Sequence, residues 1–303
     1  MQKYGQLTRC IIKLSTHFIG ALIYLSFLAT GAANASSVLK GLHENIPMGK
    51  IDDVELSINI AFPDKVSSKP RPVVILIHGG GFISGDKSKK NAQIQKLSTL
   101  GFVSASAMYR LSPDYRFPAA IEDIKLAVRF LKANADKYHI DPERIIVSGS
   151  SAGSYLAVMV GVTGNSNAFS NHGLYTDFNS AVRAVTAQSA PIADFTHAQY
   201  IERPTVKRLI PLSYTDKKTM LAAMSPITYL DANDPPFFLS HGDKDPVIPV
   251  SMSREFVKEL EKINHSFEYH EVKGGTHSYR NSAPKQSKVV FSAYLNFLKK
   301  WAK

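Results

Sequence analysis

One cysteine in 303 residues, Cys10, leaves the chain no means of closing an intrachain disulfide. It sits in an N-terminal stretch patterned for removal, with no lipobox around it, so the mature chain is expected to carry no thiol. Long apolar runs are missing as well. The apolar segment from Phe18 to Ala29 is about a dozen residues, against the roughly 20 that a membrane-spanning helix needs. No internal repeat and no low-complexity tract occurs, which excludes solenoids and biased linkers. Acidic side chains are the scarcer charged class, 25 against 36 basic, for a formal charge of +11.

The N-terminus carries a pattern of its own. Lys3, Arg9 and Lys13 precede the apolar segment, and Ala33-Asn34-Ala35 places small residues three and one before a cut at Ser36. Residues 1–35 are therefore expected to be a bacterial-type secretory signal peptide, with a membrane anchor as the alternative. The mature protein is expected to be exported, to the periplasm or beyond, without stable membrane insertion. Residues 1–35 hold three cations and no acids, so the charge falls from +11 to +8 on their removal. The remaining lysines, such as Lys87, Lys89 and Lys90 or Lys217 and Lys218, are dispersed and lack aromatic interleaving, which reads as solvated faces rather than a nucleic-acid surface. A basic surface on an exported protein favours weak association with anionic envelope or wall polymers. Nothing in the pattern specifies an oligomeric state.

The most informative stretch is Gly149-Ser150-Ser151-Ala152-Gly153, between the apolar run Arg144-Ile145-Ile146-Val147 and the apolar Tyr155 to Val160. A strand that turns sharply into a helix has no room for side chains two residues either side of the turn's central residue, and glycines fall at both places. That arrangement is a nucleophile elbow. It holds the Ser151 hydroxyl clear of the backbone and aims the Ala152 N–H at the same point.

Upstream, Pro72 to Ile77 looks like a fully buried parallel strand and runs straight into His78-Gly79-Gly80-Gly81-Phe82. Successive glycines let bare N–H groups approach a ligand oxygen, which an oxyanion hole needs, and each such donor lowers a barrier by roughly 3 kcal/mol. Gly80, Gly81 and Ala152 are the expected donors, with His78 bracing the loop.

A serine hydroxyl needs a base and a group to orient that base. Ten histidines are available. When the acid and the histidine follow the serine, each belongs in a loop at the end of a late strand. Two short strands, Pro236 to Ser240 and Ser266 to Val272, open into loops bearing Asp243 and Asp245 and bearing His277. His277 is the expected base. Asp245 is the expected orienting acid, while Asp243 reads as a turn former satisfying its own backbone. His265 and His270 bracket the second strand five residues apart and face opposite ways, which argues against a shared metal. No metal and no cofactor is expected.

Around these motifs strands and helices alternate: strands at 72–78, 102–109, 144–149, 182–189, 236–241 and 266–272, and helices near 88–100, 118–136, 152–163, 250–263 and 287–301. Val54 to Phe62 alternates as an antiparallel edge strand with one wet face. The rhythm specifies an α/β fold, a mostly parallel central sheet with helices on both faces, in a single catalytic domain over 36–303. Arg110 and Asp123 lie near element ends and read as structural. Residues 191–235 interrupt the rhythm and carry Phe195, Tyr200 and Tyr214. Two readings stay open there, a small lid over the serine or a surface excursion whose aromatics cap the core.

From Pro72 to the C-terminus the chain resembles the α/β-hydrolases, in the group shared by hormone-sensitive-lipase-like carboxylesterases and bacterial acetyl-xylan and feruloyl-type esterases. The matching stretches are His78-Gly79-Gly80-Gly81-Phe82, Tyr109-Arg110-Leu111-Ser112-Pro113 with Phe117-Pro118-Ala119-Ala120, Asp141-Pro142-Glu143-Arg144-Ile145, the elbow, Ser225-Pro226-Ile227-Thr228-Tyr229, and the Asp245 and His277 loops. The resemblance implies that Asp245, not Asp243, holds His277, and that Gly80, Gly81 and Ala152 line the hole. Two departures stand out: Ser150 where relatives often carry an acid, and Ser154 where a second glycine is usual. The expected activity is hydrolysis of small or short-acyl carboxylic esters through an acyl-enzyme. The alternatives are an amidase or peptidase with the same triad, or an inactive ligand-binding relative.

Overall fold

The computed structural model describes residues 39–170, 173–211 and 215–303. The expected signal peptide, 1–35, and Tyr214 lie outside the described residues. Eight strands form one sheet: β1 (Gly41–Ile51), β2 (Val54–Phe62), β3 (Arg71–Ile77), β4 (Val103–Ala107), β5 (Ile140–Ser150), β6 (Ala184–Gln188), β7 (Phe237–Gly242) and β8 (Phe267–Val272). Their order is β1-β2-β4-β3-β5-β6-β7-β8. The first two neighbour pairs are antiparallel and the rest are parallel.

The central strand β3 is apolar on both faces because both are covered. On one face Val73, Ile75 and Ile77 of β3 share a core with α2 (Ala119–Ala133), α4 (Ala152–Thr163) and α8 (Val250–Lys262). On the other, Val74 and Leu76 pack with α1 (Asn91–Ser98) and α9 (Pro284–Trp301). All of α4 is buried, which accounts for an apolar character that runs right round it. Among the described residues there are also four short α-helices: α3 (Ala135–Tyr138), α5 (Ala198–Ile201), α6 (Pro204–Lys207) and α7 (Lys217–Met224).

The sheet edge differs from the sequence expectation. Val54–Phe62 is antiparallel but interior, because β1 pairs along its outer side. That strand was invisible to period-two reading. Asn45, Pro47 and Gly49 interrupt its alternation, and its register shifts between His43 and Ile46 and again between Pro47 and Gly49. Pro47 suits an edge strand, where its missing N–H leaves no ladder bond unmade.

The described residues of 191–235 include α5, α6, α7 and a 3-10 turn at Pro226–Tyr229. Ile192, Phe195, Tyr200, Val206, Leu209, Met220, Leu221 and Met224 are buried in the larger core. The buried Tyr155 hydroxyl of α4 donates to Met224 O at 2.8 Å, tying the segment to the helix behind the elbow. Arg110 and Asp123, exposed by only 1% and 0% at their side chains, pair inside the domain. The Arg110 N–H reaches Asp123 Oδ2 at 2.7 Å and its Nε reaches Oδ1 at 3.0 Å, which anchors the Tyr109–Pro118 loop to α2.

Parallel registers bring the functional loops to one edge of the sheet. Ile77 lies beside Gly149, Ser150 beside Gln188, Gln188 beside Ser240, and Gly242 beside Val272. The segments following β3, β5, β6, β7 and β8 therefore emerge next to one another.

Candidate active site

Between β5 and α4 the chain reverses at Ser151, which has φ 55° and ψ −125°. A non-glycine residue there is held against a steric cost of about 1–3 kcal/mol, so the surroundings must enforce it. They do so through close backbone approach. A Cβ on Gly149 would lie 2.1 Å from Gly153 O, and one on Gly153 would lie 2.4 Å from Ile77 O. The Ser151 N–H donates to Gln188 O at 2.9 Å. Ser154, one of the two departures, turns its buried hydroxyl to that carbonyl at 3.1 Å, so it locks the elbow to β6. Ser150 Oγ accepts from Lys90 Nζ at 3.3 Å. Ala152 opens α4, whose first-turn N–H groups have no partner within the helix.

The glycine loop after β3 lies directly on this elbow. A Cβ on Gly79 would be 2.9 Å from Ser150 O and 3.2 Å from Ser151 Cβ. Gly80 and Gly81 have φ of 135° and 60°, and the N–H groups of Ile83 and Ser84 both donate to Gly80 O at 3.2 Å. His78 supports the loop from behind. Its ring stacks on Tyr109 with centroids 4.3 Å apart, and its Nδ1 lies 2.8 Å from Gly79 O. Burial lowers the His78 pKa, so a neutral ring protonated on Nδ1 donates that bond.

The loops after β7 and β8 join through Asp245 and His277. His277 Nδ1 is 2.7 Å from Asp245 Oδ2; the carboxylate is fully buried and the imidazole is 29% exposed. Burial alone would raise the Asp245 pKa. Bonds from His241, His277 and the N–H groups of Ile248 and Val247 outweigh it and hold the group well below the usual carboxylate range. With Nδ1 donating to Asp245, a neutral His277 presents a basic Nε2. Asp243 plays another part: its Oδ1 accepts the Gly274 N–H at 2.6 Å and fastens the two loops together.

Gln188 and Ser189, at the end of β6, connect the halves. Gln188 O holds the elbow, and Ser189 Oγ donates to His277 O at 2.6 Å. The structure thus sets the glycine loop against Ser150 and Ser151 through Gly79, the neighbour of Gly80 and Gly81, bonds Asp245 to His277, and links the elbow to the His277 backbone through two adjacent residues.

His241 was missed in the sequence. It is fully buried, with Nε2 at 3.2 Å from Asp245 Oδ2 and 3.0 Å from Ile248 O, and Nδ1 at 2.7 Å from Ser253 Oγ. The available signal was its spacing four residues before Asp245 across a turn containing Gly242. A side chain within one turn of a buried carboxylate is a natural second donor to it.

A profile of the BD-FAE family matches residues 58–260, from within β2 to the end of α8. The chain belongs to the BD-FAE family. A second profile, described as Phospholipase/Carboxylesterase, matches residues 220–301 of this BD-FAE member. Esterase LipQ of Mycobacterium tuberculosis (strain ATCC 25618 / H37Rv) is 32% identical over 245 residues, covering 78% of this chain and 57% of that protein. Esterase LipC of the same organism is 31% identical over 246 residues, covering 75% and 58%. The chain thus spans little more than half the length of these curated relatives. Among solved structures, a truncated carbohydrate esterase from gut microbiota superposes with a TM-score of 0.76 at 23% identity, covering 88% of this chain and 98% of that one. The bifunctional GH43-CE of Bacteroides eggerthii is 31% identical with a TM-score of 0.69, covering 83% and 38%. The BD-FAE chain has the α/β-hydrolase fold.

The elbow geometry carries a direct expectation for Gly153→Ala. The added methyl meets backbone oxygen, so β3 and α4 must separate, at about 3 kcal/mol. Urea unfolding should show the loss as a lower midpoint with unchanged slope; a midpoint equal to wild type would contradict the packing described.

Proposed function

We propose that this BD-FAE protein is a serine carboxylic-ester hydrolase for small, short-acyl esters. The observation that carries the reading is the 2.7 Å bond between buried Asp245 and His277 Nδ1, tied through β6 to an elbow that sets Ser151 at φ 55° against the glycine loop. Ser151 Oγ attacks the ester carbonyl and His277 Nε2 takes its proton. Asp245, ionised because four donors face it, keeps the imidazole oriented and balances its positive charge. The N–H groups of Gly80, Gly81 and Ala152 receive the oxyanion. His277 returns the proton to the departing alcohol, and water repeats the sequence on the acyl-enzyme. The esterase names of LipQ and LipC agree with this reading.

Ser151→Ala should lower kcat by about four orders of magnitude or more, whereas Ser150→Ala, which gives up only the contact to Lys90, should keep most turnover. Hydrolysis of p-nitrophenyl acetate by the two variants measures this, and equal damage would refute the assignment of Ser151.

Export belongs to the same proposal and rests on the charged start, the apolar segment and Ala33-Asn34-Ala35. N-terminal sequencing of protein recovered from the periplasm or medium should begin at Ser36. An intact Met1 in the membrane fraction would argue for an anchor.

Between Phe82, which follows the glycine loop, and Phe117, Tyr155 and Leu209 the free space is only about 10 Å³, at the lower limit for a single water. The apolar side chains Ile192, Phe195, Tyr200, Val206, Leu209, Met220, Leu221 and Met224 of 191–235 turn into the core. Esters of about two to six acyl carbons should therefore give the highest kcat/KM. A decanoyl ester should fall tenfold or more, because each methylene left in water forfeits roughly 0.8 kcal/mol. A steady rise through decanoyl esters in a p-nitrophenyl series would overturn the short-acyl reading.

A further inference from the structure

Arg208 follows α6 in the segment 191–235, and its guanidinium rests on the glycine loop. A Cβ on Gly81 would lie 2.5 Å from Arg208 Nη1, and Nη1 donates to Gly81 O at 3.4 Å. The placement is built from outside the side chain. Buried Ser112 donates its N–H to Phe82 O at 2.8 Å and its hydroxyl to Arg208 O, so one residue joins the glycine loop to Arg208. Arg116 Nη1 donates to Ile210 O at 3.0 Å, and the Phe117 N–H donates to Leu209 O at 3.0 Å. Three residues of the Tyr109–Pro118 loop thus hold the backbone around Arg208.

The guanidinium itself is underused. Of its five N–H donors, one makes a long bond to a carbonyl, and among the described residues no carboxylate pairs with it. Lys207 beside it is already paired with Glu202. Support of the loop does not account for the side chain either. The bonds from Ser112, Ile83 and Ser84 hold the loop, and all are shorter than the one from Arg208. A half-buried planar cation with donors to spare, pinned against a proposed oxyanion donor, suits a carboxylate.

We propose that Arg208 is a specificity-determining residue and that the ester this site selects carries a carboxylate close to the scissile carbonyl. The inference rests on the ester-hydrolase reading above. Arg208 pairs with that carboxylate through its free N–H groups and positions the ester carbonyl beside Gly80 and Gly81.

Two matched pairs of esters test it: 4-nitrophenyl hydrogen glutarate against 4-nitrophenyl valerate for the acyl side, and 3-acetoxybenzoate against 3-acetoxybenzamide for the alcohol side. The readout is the ratio of kcat/KM, charged over neutral, within each pair. Wild type should favour the charged ester in at least one pair, and that preference should shrink with added salt. Arg208→Gln should lower the ratio tenfold or more, through KM of the charged ester, and Arg208→Lys should stay above Arg208→Gln. A ratio within twofold of wild type in both pairs overturns the proposal, as do equal ratios for the Gln and Lys variants. A uniform loss on all four esters leaves the ratios unchanged, and so counts against charge recognition and for loop support. Ser151→Ala assayed on the neutral esters separates the two levels. Undiminished hydrolysis there refutes the serine mechanism, whereas Ser151-dependent hydrolysis with an Arg208-independent ratio refutes only the carboxylate inference.

Discussion

The site depends on backbone meeting backbone where β3, β5 and α4 converge. Gly149 approaches Gly153, Gly153 approaches the carbonyls of Ile77 and His78, and Gly79 approaches Ser150 and Ser151, each closer than a Cβ would permit. Without those contacts α4 could not enter the sheet edge at the angle that leaves Ser151 at positive φ. The steric cost of that conformation is small beside the burial of α4, whose residues all lie inside the domain. An apolar helix buried on every side therefore does more than fill the core: it holds a strained turn in place.

Electrostatically, the counterpart is Asp245. A carboxylate with a fully buried side chain would ordinarily be driven to the neutral form, yet two backbone N–H groups and two histidines face it. The two imidazoles differ in use. His241 is sealed between Asp245, Ile248 O and Ser253, while His277 reaches the surface. One fixes the carboxylate and the other is free to work on something outside. Holding the charge within the protein in this way leaves the imidazole of His277 as the exposed part of the pair.

Much of this was legible in the sequence, for a physical reason. Glycines flanking Ser151 at equal spacing, three glycines after an apolar strand, and late loops bearing Asp245 and His277 are local patterns that close approach demands. The central strands β3 and β5 were legible because both faces are covered and Val73–Ile77 and Ile145–Val147 are continuously apolar. The edge of the sheet was not, since β1 carries Asn45, Pro47, Gly49 and two register shifts, and only its pairing with β2 makes it a strand. In the stretch 191–235, which residues are buried was less legible, although core capping by Phe195 and Tyr200 was one of the two readings open there. Its short helices have no sustained period, and their apolar residues acquire an inside only from contacts such as Tyr155 with Met224. His241 escaped because its neighbour Gly242 made the stretch read as a plain strand end.

Arg208 marks the deeper limit of sequence reading. It stands 127 residues from Gly81 and 96 from Ser112, the two residues that give its position meaning. The groups proposed to make and break bonds follow strand ends, where the sheet register carries them to a common edge, and glycine spacing announces Ser151. Groups such as Arg208, proposed to choose among substrates, lie on the insertion between β6 and β7, which the sheet does not position. They are placed by side chains such as Ser112 and Arg116 reaching across from another loop. An insertion held by a few long-range hydrogen bonds can change its side chains without disturbing the backbone contacts around Ser151. On that proposal, substrate preference can change through the insertion while the elbow and glycine loop stay the same, and the residues that set it have to be sought in contacts rather than in motifs.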